Sequence, residues 1–152
     1  MIGQQQKDQA EKWFKDLRDK ICEEFEILEE DHLKLAPKSD VAAKKFERKS
    51  TIRETDDKED GGGGVMATLK GGRIFEKVGV NVSAVYGKLA PEAQKSITAR
   101  KAIPELKDDP RFWASGISLV AHMRNPHTPA IHLNTRMFWT PHAWWFGGGT
   151  DL

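Results

Sequence analysis

The sequence predicts an α+β fold, a large antiparallel sheet flanked by helices, in a single domain over residues 1–152. Runs of alternating apolar and polar residues recur through the second half of the chain, as they do in strands with one buried face. Long helical patterns do not separate these runs, as they would in a doubly wound parallel sheet. The chain stops directly after a strand-like run and a glycine-rich segment, so we expect it to be the amino-terminal part of a longer protein.

The composition is that of an ordinary water-soluble domain, with 38% hydrophobic residues. The 24 basic and 23 acidic residues give a net charge of +1, which argues against binding nucleic acid through overall charge. The one cysteine, Cys22, excludes an intrachain disulfide and a thiolate zinc cluster, and it favours a cytoplasmic location. A polar amino terminus and the lack of a long apolar run predict no signal peptide and no membrane insertion.

Residues 1–29 are predicted to contain an amphipathic helix. Apolar residues recur at three- and four-residue spacing from Gln4 to about Glu29, and this stripe should pack against the sheet. The stripe consists of Ala10, Trp13, Phe14, Leu17, Ile21, Phe25 and Leu28. Residues 30–60 are dense in Lys, Glu and Asp, so we expect a solvated and mobile connection, with a short helix around Val41 to Arg48.

Residues 61–152 are predicted to form the sheet. Val78, Val80 and Val82 open a strict alternation that predicts a half-buried strand continuing to Tyr86. A proline at the first helical position opens a short helix from Pro91 to about Arg100. The remaining predicted elements are a strand at Val65–Lys70, a turn at Gly71 and Gly72, a strand at Arg73–Phe75, a loop between Pro104 and Pro110, and a short strand at Ala143–Phe146 before the glycines at 147–149.

The segment from Phe112 to Arg136 carries the candidate site, because two alternating runs meet at an Asn/Pro-rich connection typical of a hairpin. We expect pairing centred on His127, with His122 opposite His132, Val120 opposite Asn134 and Ser118 opposite Arg136. A shift by two residues would keep the polar face but separate the histidines. The polar face of the two runs consists of Ser118, His122, Arg124, His132, Asn134 and Arg136.

A solvated outer surface is one interpretation of this polar face. Its two histidines, two arginines, asparagine and serine include no acid, however, and this composition suits an anionic ligand. Arginine presents a planar fork that matches carboxylate or phosphate. His122 and His132 also form a partial site for a divalent metal ion, which would need further ligands from beyond Leu152.

Asp151 is the one acid attached to this polar face, where it could accept a proton or cap a following helix. The two glycine runs could line a pocket for a flat ligand or form simple turns, and their spacing does not match a phosphate-binding loop. Trp144 and Trp145 should point to opposite faces, one into the core and the other toward the pocket. His127 and His142 are expected to be exposed loop residues.

Two motifs, SLVAHMRNPHTPAIHLNTRMF and WWFGGGTDL, closely resemble oxygen-dependent coproporphyrinogen-III oxidase, and the resemblance runs from about Gly61 through GGRIFEKVGVNVSAVYG to the last residue. It implies oxidative decarboxylation of two propionates of coproporphyrinogen III to vinyl groups, giving protoporphyrinogen IX in haem biosynthesis. It further implies O2 as co-substrate, CO2 and peroxide as products, and no flavin, haem or nicotinamide. A broad antiparallel sheet flanked by helices, a homodimer and a bacterial cytoplasmic location are also implied.

The resemblance also implies roles for individual residues. Ser118 and the segment Asn134, Thr135 and Arg136 bind substrate, His132 is the proton donor, and Asp151 lies by the pyrrole nitrogens. Some bacterial members use a divalent metal, which would place His122 and His132 among its ligands with two histidines further along the chain. The later histidines, a downstream substrate-binding segment and much of the dimer interface are not within these 152 residues.

Two other functions compete with this interpretation. A non-catalytic module that binds tetrapyrroles or other polycarboxylates would use the same polar face and would bind without turnover. A metal-dependent hydrolase would use His122 and His132, but the local sequence offers no third ligand at the usual spacing.

Overall fold

The computed structural model describes residues 3–152, which form two α-helices, one short 3-10 helix and six strands. The strands form one antiparallel sheet in which spatial order equals sequence order, so each strand pairs with its neighbours in the chain. The predicted α+β class is confirmed. The elements are α1 (Gln4–Leu35), β1 (Glu47–Glu54), β2 (Asp60–Lys70), β3 (Phe75–Lys88), α2 (Pro91–Lys101), the 3-10 helix (Pro104–Lys107), β4 (Arg111–Met123), β5 (Ile131–Trp139) and β6 (Trp144–Asp151).

The core lies between α1 and one face of the sheet. Alternate residues of the central strands β3 and β4 point toward the helix and are buried, because a strand directs successive side chains to opposite faces. Phe14 is the largest fully buried side chain of this layer, at 1% exposure. It packs in one cluster with Val78, Val80, Val82, Ile117, Leu119, Ala121 and Met137.

The opposite face of the sheet is here called the open face, and the only helix residue found over it between residues 3 and 152 is Lys101 of α2, whose Nζ lies 5.3 Å from the ring centroid of Trp145. Its central residues are the partners of the buried ones in the alternation, and most of them are exposed. α2 has no buried residue and connects β3 to β4. None of the helices in the described part of the chain is long and apolar enough to cross a membrane. The open face includes Lys77, Asn81, Ser83, Gly116, Ser118, Val120, His122, His132, Asn134, Arg136, Gly147, Gly149 and Asp151.

The amino-terminal half differs from the prediction in two ways. α1 continues to Leu35, six residues past the expected end, and stops at Ala36 because the residue before Pro37 is disfavoured in helical conformation. Residues 30–60 are also not all connection, since β1 occupies Glu47–Glu54 and no helix spans residues 41–48. β1 shows no alternation because all eight of its residues are exposed at the edge of the sheet.

Both glycine runs lie in strands, not in turns or pocket loops. The first belongs to β2, and the second extends β6 through Gly147–Gly149 to Asp151. At Gly148 a Cβ would overlap the carbonyl oxygen of Asn134, so the close approach of β5 and β6 needs glycine there. The glycines therefore bring two main chains together, and they carry the ladder as far as Asp151.

The predicted turn at Gly71 and Gly72 is confirmed, and a buried carboxylate from α1 holds it. Glu29, which is fully buried, accepts backbone N–H groups of Arg73 at 2.6 Å, Ile74 at 2.8 Å and Phe75 at 3.0 Å. Gly71 has φ +64°, and a Cβ on Gly72 would lie 2.5 Å from the Glu29 carboxylate. The turn is thus built around the end of the helix.

Candidate active site

The polar residues of the open face are arranged in rows that run across the strands. One row joins Asn81 of β3, Ser118 of β4, Asn134 of β5 and Gly149 of β6, each paired with the next. Directly paired side chains on one face lie roughly 5 Å apart. Hydroxyl and amide groups therefore form a continuous polar line across four strands.

The next row contains Arg136 between two glycines. Ser83 pairs with Gly116, Gly116 pairs with Arg136, and Arg136 pairs with Gly147. A Cβ at Gly116 would lie 2.6 Å from the Cβ of Arg136, so only glycine fits there, whereas a Cβ at Gly147 would meet no atom within 4 Å. The residues that β3, β4 and β5 contribute to the two rows line a depression of about 500 Å³. Beside the guanidinium, its floor is bare main chain.

A third row ends in an acid–base pair. His132 pairs with Asp151 across the β5–β6 ladder, and the imidazole Nδ1 lies 2.9 Å from a carboxylate oxygen of Asp151. Both side chains are reachable from solvent, at 48% and 71% exposure. When Nδ1–H donates a hydrogen bond to the carboxylate, Nε2 of a neutral His132 is an acceptor. In a protonated His132, Nε2 carries a hydrogen and is a donor.

The predicted register of the β4–β5 hairpin is wrong by two residues. Ser118 lies opposite Asn134, Val120 lies opposite His132, and Gly116 lies opposite Arg136. A local turn sets this register: the Thr128 N–H donates to the Asn125 carbonyl at 3.1 Å, and the Asn125 side chain accepts the His127 N–H at 3.0 Å. Alternation alone tolerates any even shift, so it could not select between the two pairings.

The two histidines remain neighbours despite the shift. His122 and His132 lie diagonally across the β4–β5 pair, with ring centroids 5.9 Å apart at 71°. Across the β3–β4 ladder His122 pairs with Lys77, a cation. Among residues 3–152 no group of three or more His, Cys, Asp or Glu side chains is placed to hold a metal ion. The donor set is thus too small for an ion held by these residues alone.

Other candidate residues fall away from the open face. Thr135 pairs with Ile117 and Gly148, so its side chain points to the helix side and only its main chain adjoins the depression. Arg124 lies beyond the end of β4, and its Nε donates to the carbonyl of Gly72 at 2.9 Å. Arg124 therefore does not belong to the polar face on which the alternation placed it.

The tryptophan pair also differs from expectation, because neither ring is in the core. Trp144 is 45% exposed on the helix side of the sheet. Trp145 is partly buried on the open face, where it stacks on Phe138 at 5.0 Å. Trp145 thus lies on the open face, but it is not among the residues that line the depression. His127 and His142 are exposed, as predicted.

The sequence prediction missed two polar residues of the site, Asn81 and Ser83. Both line the depression, and the Oδ1 atom of Asn81 is buried without a hydrogen-bond partner in the described residues. The signal was present in β3, because burial of Val80 and Val82 directs Asn81 and Ser83 to the other face. It needed the pairing of Asn81 with Ser118 to show that this face joins the site.

The chain is similar to proteins of one family over almost its whole length. The family model described as coproporphyrinogen III oxidase matches residues 9–152. The oxygen-dependent coproporphyrinogen-III oxidases of Rickettsia peacockii (strain Rustic) and Rickettsia felis are each 46% identical over 146 residues, 96% of this chain and 47% of theirs. The same enzyme of Rickettsia bellii (strain RML369-C) is 41% identical over 151 residues, 99% of this chain and 48% of its own.

The chain therefore spans about half the length of the curated relatives it matches. The matched region contains all six strands and the whole open face. On this evidence the chain belongs to the coproporphyrinogen III oxidase family.

Proposed function

We propose that this chain provides the substrate-binding sheet of an oxygen-dependent coproporphyrinogen-III oxidase, which converts two propionates of coproporphyrinogen III to vinyl groups in haem biosynthesis. The observation that carries the proposal is Arg136, which projects from a glycine-floored depression beside Ser118 and Asn134. The relatives are named oxygen-dependent coproporphyrinogen-III oxidases, which supports the substrate and the use of O2.

The substrate is a macrocycle with carboxylates around its rim, and the open face suits both parts of it. Arg136 holds one propionate through a charge-assisted, bidentate pair, and Ser118 and Asn134 add hydrogen bonds. Gly147 and Gly149 let the ring approach the main chain, since a Cβ at either would meet nothing within 4 Å. The main chain of Thr135 adjoins the same depression and completes the contact.

The stoichiometry of the reaction assigns a use to a proton donor. One propionate, one O2 and one proton give one vinyl group, one CO2 and one H2O2. The propionate loses two electrons and one hydrogen as its terminal C–C bond breaks, and O2 takes up those two electrons and two protons. Each decarboxylation therefore consumes one proton net, and we assign its delivery to His132.

Asp151 serves the other end of the proton transfer. A reduced tetrapyrrole is electron-rich and reacts with O2 once a pyrrole N–H is deprotonated, so a carboxylate near the pyrrole nitrogens assists that step. Asp151 lies 2.9 Å from His132 and about four residues along the sheet from the Arg136 row, roughly 13 Å by strand geometry. A ring anchored by a propionate at Arg136 reaches both groups.

The proposal includes a homodimer, a cytoplasmic location and an enzyme that needs no organic cofactor. The proposed function involves neither binding of nucleic acid nor insertion into a membrane. A divalent metal ion at His122 and His132 would require ligands from outside the described residues.

Aerobic conversion of coproporphyrinogen III by the purified chain tests the proposal. Product is followed as protoporphyrin fluorescence after oxidation, beside a no-protein control for autoxidation and an anaerobic control. Turnover that depends on O2 and on Arg136 supports the proposal. Saturable substrate binding with no turnover, by this chain and by a protein of the relatives' full length, would favour the non-catalytic tetrapyrrole-binding module.

A further inference from the structure

A second cavity lies away from the open face, where the end of α1 meets the β2–β3 turn and the β4–β5 loop. Its volume is about 360 Å³. The polar groups that line it are His32, Arg73, Arg124, Asn125 and Thr128, contributed by three separate segments. This cavity therefore brings together two arginines and a histidine, all of which can donate hydrogen bonds.

Arg73 is the clearest sign of an absent partner. Its Nε and Nη1 atoms are buried, and neither has a hydrogen-bond partner among residues 3–152. A buried donor left unpaired destabilises the fold, and more so when it belongs to a charged group. Glu29 lies beside the same turn but is already occupied by backbone N–H groups, including that of Arg73 itself.

Arg124 and His32 add to the same deficit. Arg124 is fixed by its Nε bond to the Gly72 carbonyl, and no other atom of its guanidinium is bonded within the described chain. The Nδ1 atom of His32 is buried and unpartnered over the same range. The ion pairs found between residues 3 and 152 involve neither arginine, so no carboxylate of that region neutralises the two guanidinium groups.

We propose that this cavity binds the oxyanion group, phosphate or carboxylate, of a small molecule. Arg73 and Arg124 provide two cations, and His32 and Thr128 neutral hydrogen bonds, a donor set that matches a tetrahedral or planar oxyanion. The cavity has room for more than the anion, so the ligand is a small phosphorylated or carboxylated metabolite. This site is independent of the proposed oxidase chemistry, which uses the other face of the sheet.

Isothermal titration of the 152-residue chain with inorganic phosphate, and separately with succinate, tests this proposal at ionic strength held constant with NaCl. We expect saturable binding of at least one anion, weakened tenfold or more by Arg73→Gln. The matched control is Arg100→Gln, which removes an exposed arginine of α2 and should bind as the unchanged chain does. A further variant, Arg136→Gln, removes the open-face guanidinium and measures any anion that binds there instead. The anion that binds with the higher affinity identifies the class of ligand, phosphorylated or carboxylated.

Three results would overturn the proposal. They are no saturable binding of either anion, equal affinity in Arg73→Gln, or loss of binding in Arg136→Gln with retention in Arg73→Gln, which would place the anion on the open face. Circular dichroism checks that each variant is folded. If Arg73→Gln does not fold, Arg124→Gln replaces it, and unchanged affinity in Arg124→Gln then counts against the site.

Discussion

His132 and Asp151 meet across the last ladder of the sheet, with the imidazole Nδ1 2.9 Å from the carboxylate. They are nineteen residues apart in the chain, and each has a separate proton-transfer role in the proposed reaction. Their hydrogen bond joins these roles, because Asp151 accepts the Nδ1–H of His132 and leaves Nε2 as the atom that takes up and delivers a proton. A proton that Asp151 takes from the substrate can leave to solvent, which reaches both side chains.

Replacing Asp151 should slow the chemical step more than it weakens binding. We expect Asp151→Asn to lower kcat by about 10²- to 10⁴-fold, the usual contribution of a positioned acid or base, and to change KM little. The measurement is aerobic turnover of coproporphyrinogen III by this chain, or by a protein of the relatives' full length if only that form is active. Asp56→Asn, on the exposed β1–β2 connection, is the control. A loss confined to KM would contradict the assignment.

Replacing Arg136 should do the opposite. Arg136→Ala removes the charge-assisted pair to a propionate, so substrate affinity should fall by about 10- to 100-fold, in line with 1.5–3 kcal/mol for a hydrogen bond to a charged group. Titration of tryptophan fluorescence with the substrate measures the affinity, and Arg100→Ala, on α2, serves as the control. If Arg136→Ala and Asp151→Asn lose binding equally, the division of labour between the two residues is wrong.

Two adjacent glycines of β6 should respond in opposite ways. Gly147→Val adds a side chain on the open face where space is free, so the protein should fold normally yet bind the flat substrate at least tenfold more weakly. Gly148→Val directs its side chain into the Asn134 carbonyl and should destabilise the fold by about 1–3 kcal/mol. Urea unfolding and substrate titration of both variants test the contrast, which fails if Gly147→Val binds like the unchanged chain.

Glu29 should make stability depend on acid pH. Burial by itself raises the pKa of this carboxyl, but hydrogen bonds from the N–H groups of Phe75, Arg73 and Ile74 outweigh it and hold the pKa below its usual range. A folded-state pKa below the unfolded one means that the contribution is complete above pH about 4.3 and is lost as pH falls through the folded value.

The matching variant is Glu29→Gln, which we expect to lose about 2–4 kcal/mol of unfolding free energy at pH 7 because one N–H acceptor becomes a donor. Urea titrations from pH 7 to pH 3 measure the difference in unfolding free energy between the variant and the unchanged chain, which should become smaller as the pH falls. Glu24→Gln, an exposed change on the same helix, should leave the unfolding curve unchanged. An equal loss at pH 7 and pH 3 would contradict the role of the ionised carboxylate.

Cys22 should be inert in the folded protein. It is 3% exposed in the core, and burial is the main cause that raises the pKa of its thiol to about 11. Because the thiolate is the reactive form, iodoacetamide at pH 8 should label the native chain at least 100-fold more slowly than the urea-unfolded chain. Mass spectrometry of timed samples measures both rates, and comparable rates would show that α1 opens freely.

The sequence predicts well those elements whose two faces differ. β3 and β4 have one buried and one polar face, and the alternation of Val78, Val80 and Val82 records this directly. All residues of β1 are exposed, so its sequence shows no alternation of apolar and polar residues. The glycines of β6 have low strand propensity, so the pairing that places Asp151 beside His132 depends on the neighbouring strand and not on local sequence.

The sequence predicts which face of the sheet the candidate site residues share, but not which residues they lie opposite. Ser118, Asn134 and Arg136 lie on one face because parity is fixed by the strand. Their opposite partners depend on the Asn125 turn, a local hydrogen-bonding pattern that alternation does not encode. Glu29 looks in sequence like the other acids around it, and only the N–H groups of a turn 44–46 residues away distinguish it.

That long-range bond makes the hairpin tip and the end of α1 a single cooperative unit. The N–H groups of Arg73, Ile74 and Phe75 have Glu29 as their acceptor, so they become free to exchange with solvent only when the helix end lifts away from the sheet. Detachment of the helix end therefore frees the tip of the β2–β3 hairpin, while the ladder from Gly62 to Lys70 can stay paired with β3. The Glu29 carboxylate thus couples opening of the helix end to opening of the β2–β3 turn.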